Sequence, residues 1–94
     1  MNEKIKVEDT VEQKILDEGF EDILIFSNND YADAFIGISE DGRSVYDYDL
    51  MVEWLVNHDN MEHDEAIEWI EYNTIKALPY FKDKAPIIIY KNYS

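Results

Sequence analysis

EDGRSVYDYDLMVEWLVNHDNMEHDEAIEWIEYNTIKALP, residues 40–79, is the stretch that decides the fold of this chain. It opens with Asp41 and Gly42 between two apolar runs, a dipeptide typical of the tight turn of a β-hairpin. Two long helix-like stretches follow, and the second meets Pro79, which cannot continue a helix. The stretch therefore predicts a hairpin followed by two helices.

The boundaries of these elements follow from their caps and turn residues. The hairpin strands are expected at residues 34–38 and 43–48. Asp49 can cap a first helix over about residues 50–57, which is apolar around most of its girth and should lie between two apolar surfaces. A second helix is expected from about His63 to Leu78, with Met61 and Ala66 spaced as a hydrophobic staple at its start.

Outside this stretch the sequence adds a short helix and two strands. Thr10 can cap a helix that ends before Gly19. The apolar run at residues 23–26 reads as a strand buried on both faces, and the run that follows Pro86 reads as a central strand. We therefore expect a single α+β domain over residues 1–94, with a small, mostly antiparallel sheet of three to four strands packed against two to three helices, and with residues 1–9 flexible.

The expected core combines residues from these strands and helices. Each is an apolar residue on the buried side of its predicted element. They are Ile25, Phe35, Ile36, Leu55, Ile67, Ile70, Ile88 and Ile89.

The charge of the chain is strongly segregated along its length. Of 22 acidic residues, 21 lie within residues 1–71, which gives that part a formal charge of about −17 within a total of −14. The last 23 residues carry about +3. Such a charge opposes direct binding of nucleic acid or of an anionic membrane, because both need a basic surface. It favours a soluble protein that is steered towards a basic partner.

Nothing in the sequence indicates catalysis. The chain has no cysteine, its serines lack the context of a nucleophile elbow, and its three glycines cannot form a phosphate-binding loop. We expect a non-enzymatic protein without a cofactor or a bound metal. The opening residues lack the pattern of a signal peptide, so we expect a cytoplasmic location in the host cell.

Three polar patterns are ambiguous. Alternation from Tyr46 to Asp49 could place Asp47 and Asp49 together as a cation or partner site, although an Asp before a helix is more often a cap. The residues from His58 to Asp64 could ligate zinc, yet their spacing matches no established motif and a solvated loop is the more economical interpretation. Asn73, deep in a helix, is expected to tie that helix to a neighbouring loop.

One face of the second long helix is the best candidate for a binding site. Trp69 and Tyr72 are interleaved there with Glu65, Glu68 and Glu71. Aromatic side chains anchor protein interfaces, and surrounding carboxylates select lysine and arginine on the partner. The alternative is a solvated face whose aromatic residues pack under the N-terminal segment. We predict that these five residues, with Asp47 and Asp49, bind a partner.

Three segments of the chain resemble a group of small acidic phage and prophage proteins of Gram-positive bacteria. They are RSVYDYDLMVEWL at residues 43–55, EAIEWIEYNTIKALPY at residues 65–80 and APIIIY at residues 85–90. The resemblance covers roughly residues 34–90 and implies a phage origin. Small acidic phage proteins often inhibit host nucleic-acid machinery, and anti-CRISPR proteins among them occupy basic grooves in place of DNA or RNA.

Two functions from different classes follow. The first is an acidic inhibitor that mimics nucleic acid and binds a basic protein surface, such as a CRISPR effector or another nucleic-acid-binding protein of the host. The second is an oligomeric structural or regulatory phage protein, such as a homodimer, in which Trp69, Tyr72 and Ile75 associate and acidity serves solubility.

Overall fold

A computed structural model describes residues 10–26 and 30–90 of the chain. The first nine residues, for which we expected flexibility, lie outside the described residues. Six regular elements follow one another, joined by two 3₁₀ segments and one π-helical segment. In chain order they are α1 (Val11–Asp17), the 3₁₀ turn Ala32–Ala34, β1 (Phe35–Ile38), β2 (Ser44–Asp47), α2 (Tyr48–Asp59), α3 (His63–Trp69), the π segment (Ile70–Ile75), the 3₁₀ segment Leu78–Lys84 and β3 (Ile87–Ile89).

The strands form one mixed sheet in the order β1-β2-β3, so the α+β class is confirmed. β1 and β2 are antiparallel, whereas β2 and β3 are parallel, with Tyr46 opposite Ile88. The expectation that the last strand is central is wrong. β2 is central, because β1 pairs along one of its edges and β3 along the other.

The predicted hairpin is confirmed, with one irregularity. β1 and β2 pair from Phe35 opposite Tyr46 to Ile38 opposite Ser44, and the register shifts between Phe35 and Gly37. This bulge places an extra residue, Ile36, in the edge strand. Residues 23–26 were expected to form a strand, but they do not. The Leu24 carbonyl instead accepts a hydrogen bond from the Ser44 hydroxyl (2.8 Å).

Side-chain caps fix the starts of the first two helices. The Thr10 hydroxyl accepts from the Gln13 amide (3.1 Å) at the start of α1, as predicted. α2 begins earlier than expected, at Tyr48, because Asp47 is its cap: one oxygen of this carboxylate accepts from the Leu50 amide (2.9 Å). Asp49, the cap expected from the sequence, lies in the first turn instead.

The second long helix is not uniform. α3 starts where predicted, and the Glu65 carboxylate accepts from the Glu62 amide (3.3 Å) as half of a capping box. After Trp69 the backbone widens into the π segment, and Pro79 lies in the 3₁₀ segment that ends the helical path. A widened turn inserts one extra residue, and such insertions are frequent at functional sites.

The core lies between the sheet and the helices. Phe26 is at its centre and packs edge-on against the rings of Tyr31 (5.3 Å between centroids) and Tyr46 (4.8 Å). Of the expected core residues, Leu55 and Ile70 are buried. Five others are partly buried: Ile25, Phe35, Ile67, Ile88 and Ile89. Ile36 is 49% exposed, so its core assignment is wrong, because the bulge turns it to solvent.

Candidate functional site

The exposed side of α3 and of the π segment that continues it brings together four of the predicted partner-binding residues. Trp69 is 46% exposed and Tyr72 is 65% exposed, although both are large aromatic residues. With Glu65, Glu68 and Asn73 they line a shallow, open groove of about 210 Å³. We call Glu65, Glu68, Trp69 and Tyr72 the α3 acidic face.

Asn73 supports this face from within its own helix. Its side-chain amide donates to the Trp69 carbonyl (3.2 Å). In a π-helical turn the usual backbone donor is displaced, so a side-chain donor four residues on can take its place. The expected bond from Asn73 to a neighbouring loop is therefore replaced by a local bond that stabilises the widened turn behind Trp69.

Tyr31 and Thr74 join the π segment to the rest of the protein. Tyr31 has a left-handed backbone (φ 60°) and a buried side chain, and its hydroxyl lies 2.6 Å from the Thr74 hydroxyl. Burial raises the pKa of Tyr31, and the hydrogen bond with the Thr74 side chain opposes that rise. The Tyr31 hydroxyl thus links the core to the π segment that follows Trp69.

Tyr31 was not among the site residues expected from the sequence. Its partner Thr74 lies 43 positions away, so no local pattern links the two. The available signal was the pair Asn73 and Thr74, two poor helix formers in the middle of a helix. That pair marks the π segment, but the sequence does not show which residue Thr74 would contact.

The ring of Tyr72 already contacts a cation. The Lys76 ammonium lies 5.1 Å from the centre of this ring, a cation–π distance. A basic partner would compete with Lys76 for the same ring.

Glu71 lies apart from this groove and belongs to a second cluster. The Tyr48 hydroxyl donates to its carboxylate (3.4 Å), and the Tyr48 ring packs on that of Tyr90 (4.7 Å between centroids). Burial raises the pKa of both tyrosines, and the negative charge of Glu71 raises them further. Glu71 is thus paired with tyrosines between α2, the π segment and the end of β3.

The two aspartates predicted to act together are separated. Asp47 is fully buried, so its assignment to the partner-binding surface does not hold: its side chain is used as the cap of α2. Asp49 is exposed in the first turn of that helix. The alternation of residues 46–49 fails because Tyr48 already belongs to the helix, where the two-residue period of a strand no longer applies.

The histidine-rich loop forms contacts of another kind. His58 stacks on Trp54 (4.2 Å between ring centroids, 11° between planes), and its Nδ1 lies 2.9 Å from an Asp59 oxygen. His63 and Asp64 are exposed. Within residues 10–26 and 30–90, no group of His, Asp or Glu side chains is arranged to hold a metal ion. The stacking contact holds the His58 ring against Trp54 on the surface of α2.

No protein-family model, curated protein or solved structure matches this chain. Among the helices of the described residues, none combines the length and the apolar character needed to cross a bilayer.

Proposed function

We propose that this chain is a phage-encoded inhibitor that acts by binding, without catalysis. In this proposal the α3 acidic face occupies a basic surface that a bacterial protein uses for DNA or RNA, and a CRISPR effector or another DNA-transacting protein of the host is the expected target class. The observation that carries the proposal is the exposure of Trp69 and Tyr72 beside Glu65 and Glu68 in one groove.

Two physical arguments support a basic partner. Large aromatic side chains are the most frequent energetic anchors of interfaces, and burying them removes apolar surface from water. The neighbouring carboxylates favour lysine and arginine on the other side and disfavour acidic surfaces. A net charge of −14 on 94 residues adds a long-range field that speeds encounter with a positively charged groove.

The second candidate function is self-association through the same aromatic residues. It was expected to use Trp69, Tyr72 and Ile75. Ile75 packs against the core, which leaves two of the three residues exposed. Two copies meeting through this face would also bring the carboxylates of Glu65 and Glu68 of both copies close together, and like charges repel. The surface therefore favours a basic partner over a second copy.

The test is a capture experiment followed by a competition assay. The chain is immobilised and exposed to a lysate of a Gram-positive host at low salt, and retained proteins are released by raising the salt. Each retained protein is purified and its binding to labelled DNA or RNA is measured with and without the chain. We expect a retained nucleic-acid-binding protein that loses its DNA or RNA in competition with the chain.

Trp69→Ala supplies the specificity control, with circular dichroism to confirm folding. Loss of a central anchor costs about 2 kcal/mol or more, so this variant should compete at least tenfold less well. Expression of the chain in a CRISPR-immune strain should also raise the plaque count of the targeted phage. The proposal fails if the retained protein keeps its nucleic acid at saturating chain, or if Trp69→Ala competes as well as the parent.

A further inference from the structure

A second exposed surface lies on the side of the chain formed by α1 and β1. Its groove of about 480 Å³ is lined by α1 and the residue stretch after it on one side and by all of β1 on the other. Leu16 is 48% exposed, Phe20 41% and Ile36 49%. A smaller groove on the other side of Phe20 shares Ile15 with it. We call Phe20, Ile36 and the large groove between them the α1–β1 apolar face.

The shape of this face is that of a ridge beside a groove. Phe20 lines both grooves, so its ring separates them. Ile36 projects at the bulge of an edge strand, and Gly37 next to it has open space where a side chain would be. A bulge in an edge strand disfavours pairing with a further strand through the backbone. A protein that covers this face would therefore pack through side chains, with an apolar ridge in the large groove.

Two side chains of opposite charge line the large groove, and they favour a second copy of this chain as the partner. Lys14 and Glu18 both line the large groove, one helical turn apart. In the described part of the chain neither side chain takes part in an ion pair. If two copies meet about a two-fold axis with their α1 helices antiparallel, Lys14 of each copy faces Glu18 of the other. The same rotation brings the Phe20 ridge of each copy to the groove of the other.

We propose that the α1–β1 apolar face is the interface of a homodimer with two-fold symmetry, in which Phe20 and Ile36 are the apolar anchors and Lys14 pairs with Glu18 of the second copy. The α3 acidic face takes no part in this interface. The dimer is therefore independent of the proposed inhibition, and each proposal can fail without the other.

The dependence on salt separates this dimer from binding to a basic partner. Each copy carries a charge of −14, so two copies repel one another when screening is weak. Raising NaCl from about 0.02 M to about 0.5 M shortens the Debye length several-fold, so dimerisation should strengthen. Binding to a basic partner should weaken over the same range, because the attraction between opposite charges is screened.

The experiment is sedimentation equilibrium of the full chain over a wide range of concentrations at both salt levels. We expect a monomer–dimer equilibrium that shifts to dimer with salt. Ile36→Asp should weaken dimerisation roughly a hundredfold or more, because the anchor is lost in both copies. Tyr80→Asp is the matched control, since Tyr80 is exposed outside this face. A monomer at every concentration and salt level would overturn the proposal, as would a dimer that Ile36→Asp leaves intact.

Charge exchange tests the two-fold arrangement itself. Lys14→Glu and Glu18→Lys should each weaken dimerisation by roughly threefold to tenfold, because two exposed ion pairs are lost. The double variant restores both pairs in the opposite sense and should recover the affinity of the parent. Net charge alone predicts that Glu18→Lys strengthens dimerisation, since it reduces the repulsion. That result, or a double variant no better than Lys14→Glu, would exclude the proposed pairing.

Discussion

The bond between Tyr31 and Thr74 gives the sharpest prediction about how the candidate site is built. Tyr31→Phe removes only the hydroxyl and keeps the ring contacts with Phe26 and Trp54 (5.5 Å between centroids). The Thr74 hydroxyl, which is buried, then loses its 2.6 Å partner. An unsatisfied buried polar group costs about 1–3 kcal/mol, so the free energy of unfolding should fall by about that amount.

A double-mutant cycle isolates the bond from the rest of the site. Thr74→Val removes the other hydroxyl and keeps the volume of the side chain. When both hydroxyls are absent no polar group is left unpaired, so the double variant should be more stable than the sum of the single losses predicts, by about 0.5–3 kcal/mol. Urea denaturation of the four proteins at one pH and salt concentration gives the four free energies.

Fluorescence supplies the second measurement in this cycle. In a Trp54→Phe background the emission comes from Trp69 alone, so its wavelength and its quenching by acrylamide report the surroundings of the indole. Tyr31→Phe should change both, because the bond between Tyr31 and Thr74 holds the π segment that begins directly after Trp69. Additive losses within about 0.5 kcal/mol, together with unchanged Trp69 emission, would refute the view that this bond positions the α3 acidic face.

Three further predictions concern stability and the groove. Ile70→Ala should cost about 2–5 kcal/mol in urea denaturation, whereas Ile36→Ala should cost less than about 0.5 kcal/mol; equal losses would contradict their observed difference in burial. Burial raises the pKa of Tyr46 to about 12, so the stability from its neutral phenol is complete below pH 10 and is lost as pH rises from 10 towards 12. Urea midpoints from pH 9 to 11 should therefore fall more steeply for the parent than for Tyr46→Phe, and parallel slopes would reject this assignment. Lys76→Ala frees the ring of Tyr72 and should tighten binding to a basic partner about twofold to fivefold in a titration; weaker binding would show that Lys76 contributes to the interface.

Much of the fold follows from local chemistry that the sequence displays. The cap at Thr10, the turn at Asp41 and Gly42, and the stop at Pro79 each depend on one residue and its immediate neighbours. The structure has α1 and the hairpin where these signals predict them, whereas the helical path continues past Pro79 as a 3₁₀ segment that ends at Lys84. Such local signals can be interpreted from the sequence because the backbone of a cap or a turn has few competing conformations.

The wrong predictions concern residues whose conformation depends on contacts with distant parts of the chain. The run at residues 23–26 has the composition of a strand, but its Leu24 carbonyl bonds to a serine side chain and its backbone joins no strand. Ile36 has the pattern of a core residue, and a bulge set by pairing with β2 exposes it. Asp47 and Asp49 are equally good caps by type, and the choice depends on where β2 ends.

The residues of the candidate site also fall into two groups, those predictable from local sequence and those placed by distant contacts. The exposure of Glu65, Glu68, Trp69 and Tyr72 follows from the 3.6-residue period of a helix, which the sequence shows directly. The place of Glu71 does not, because the widened turn and the contact with Tyr48 decide it. The support from Tyr31 depends on a contact between positions far apart in the chain. The residues of an exposed helix face can thus be recognised from the helical period of the sequence. The residues that hold this face in place can be identified only from the tertiary structure.

We propose that the α3 acidic face, and not acidity in general, binds the basic partner. The most direct measurement compares the dissociation constants of two variants with the same net charge at low salt. Glu65→Gln with Glu68→Lys changes the face and keeps an oxygen that can accept the capping bond from Glu62. Glu40→Lys with Asp83→Asn changes two exposed residues outside the groove by the same charge. We expect at least tenfold weaker binding for the first variant than for the second, and equal dissociation constants would show that the α3 acidic face is not the binding site.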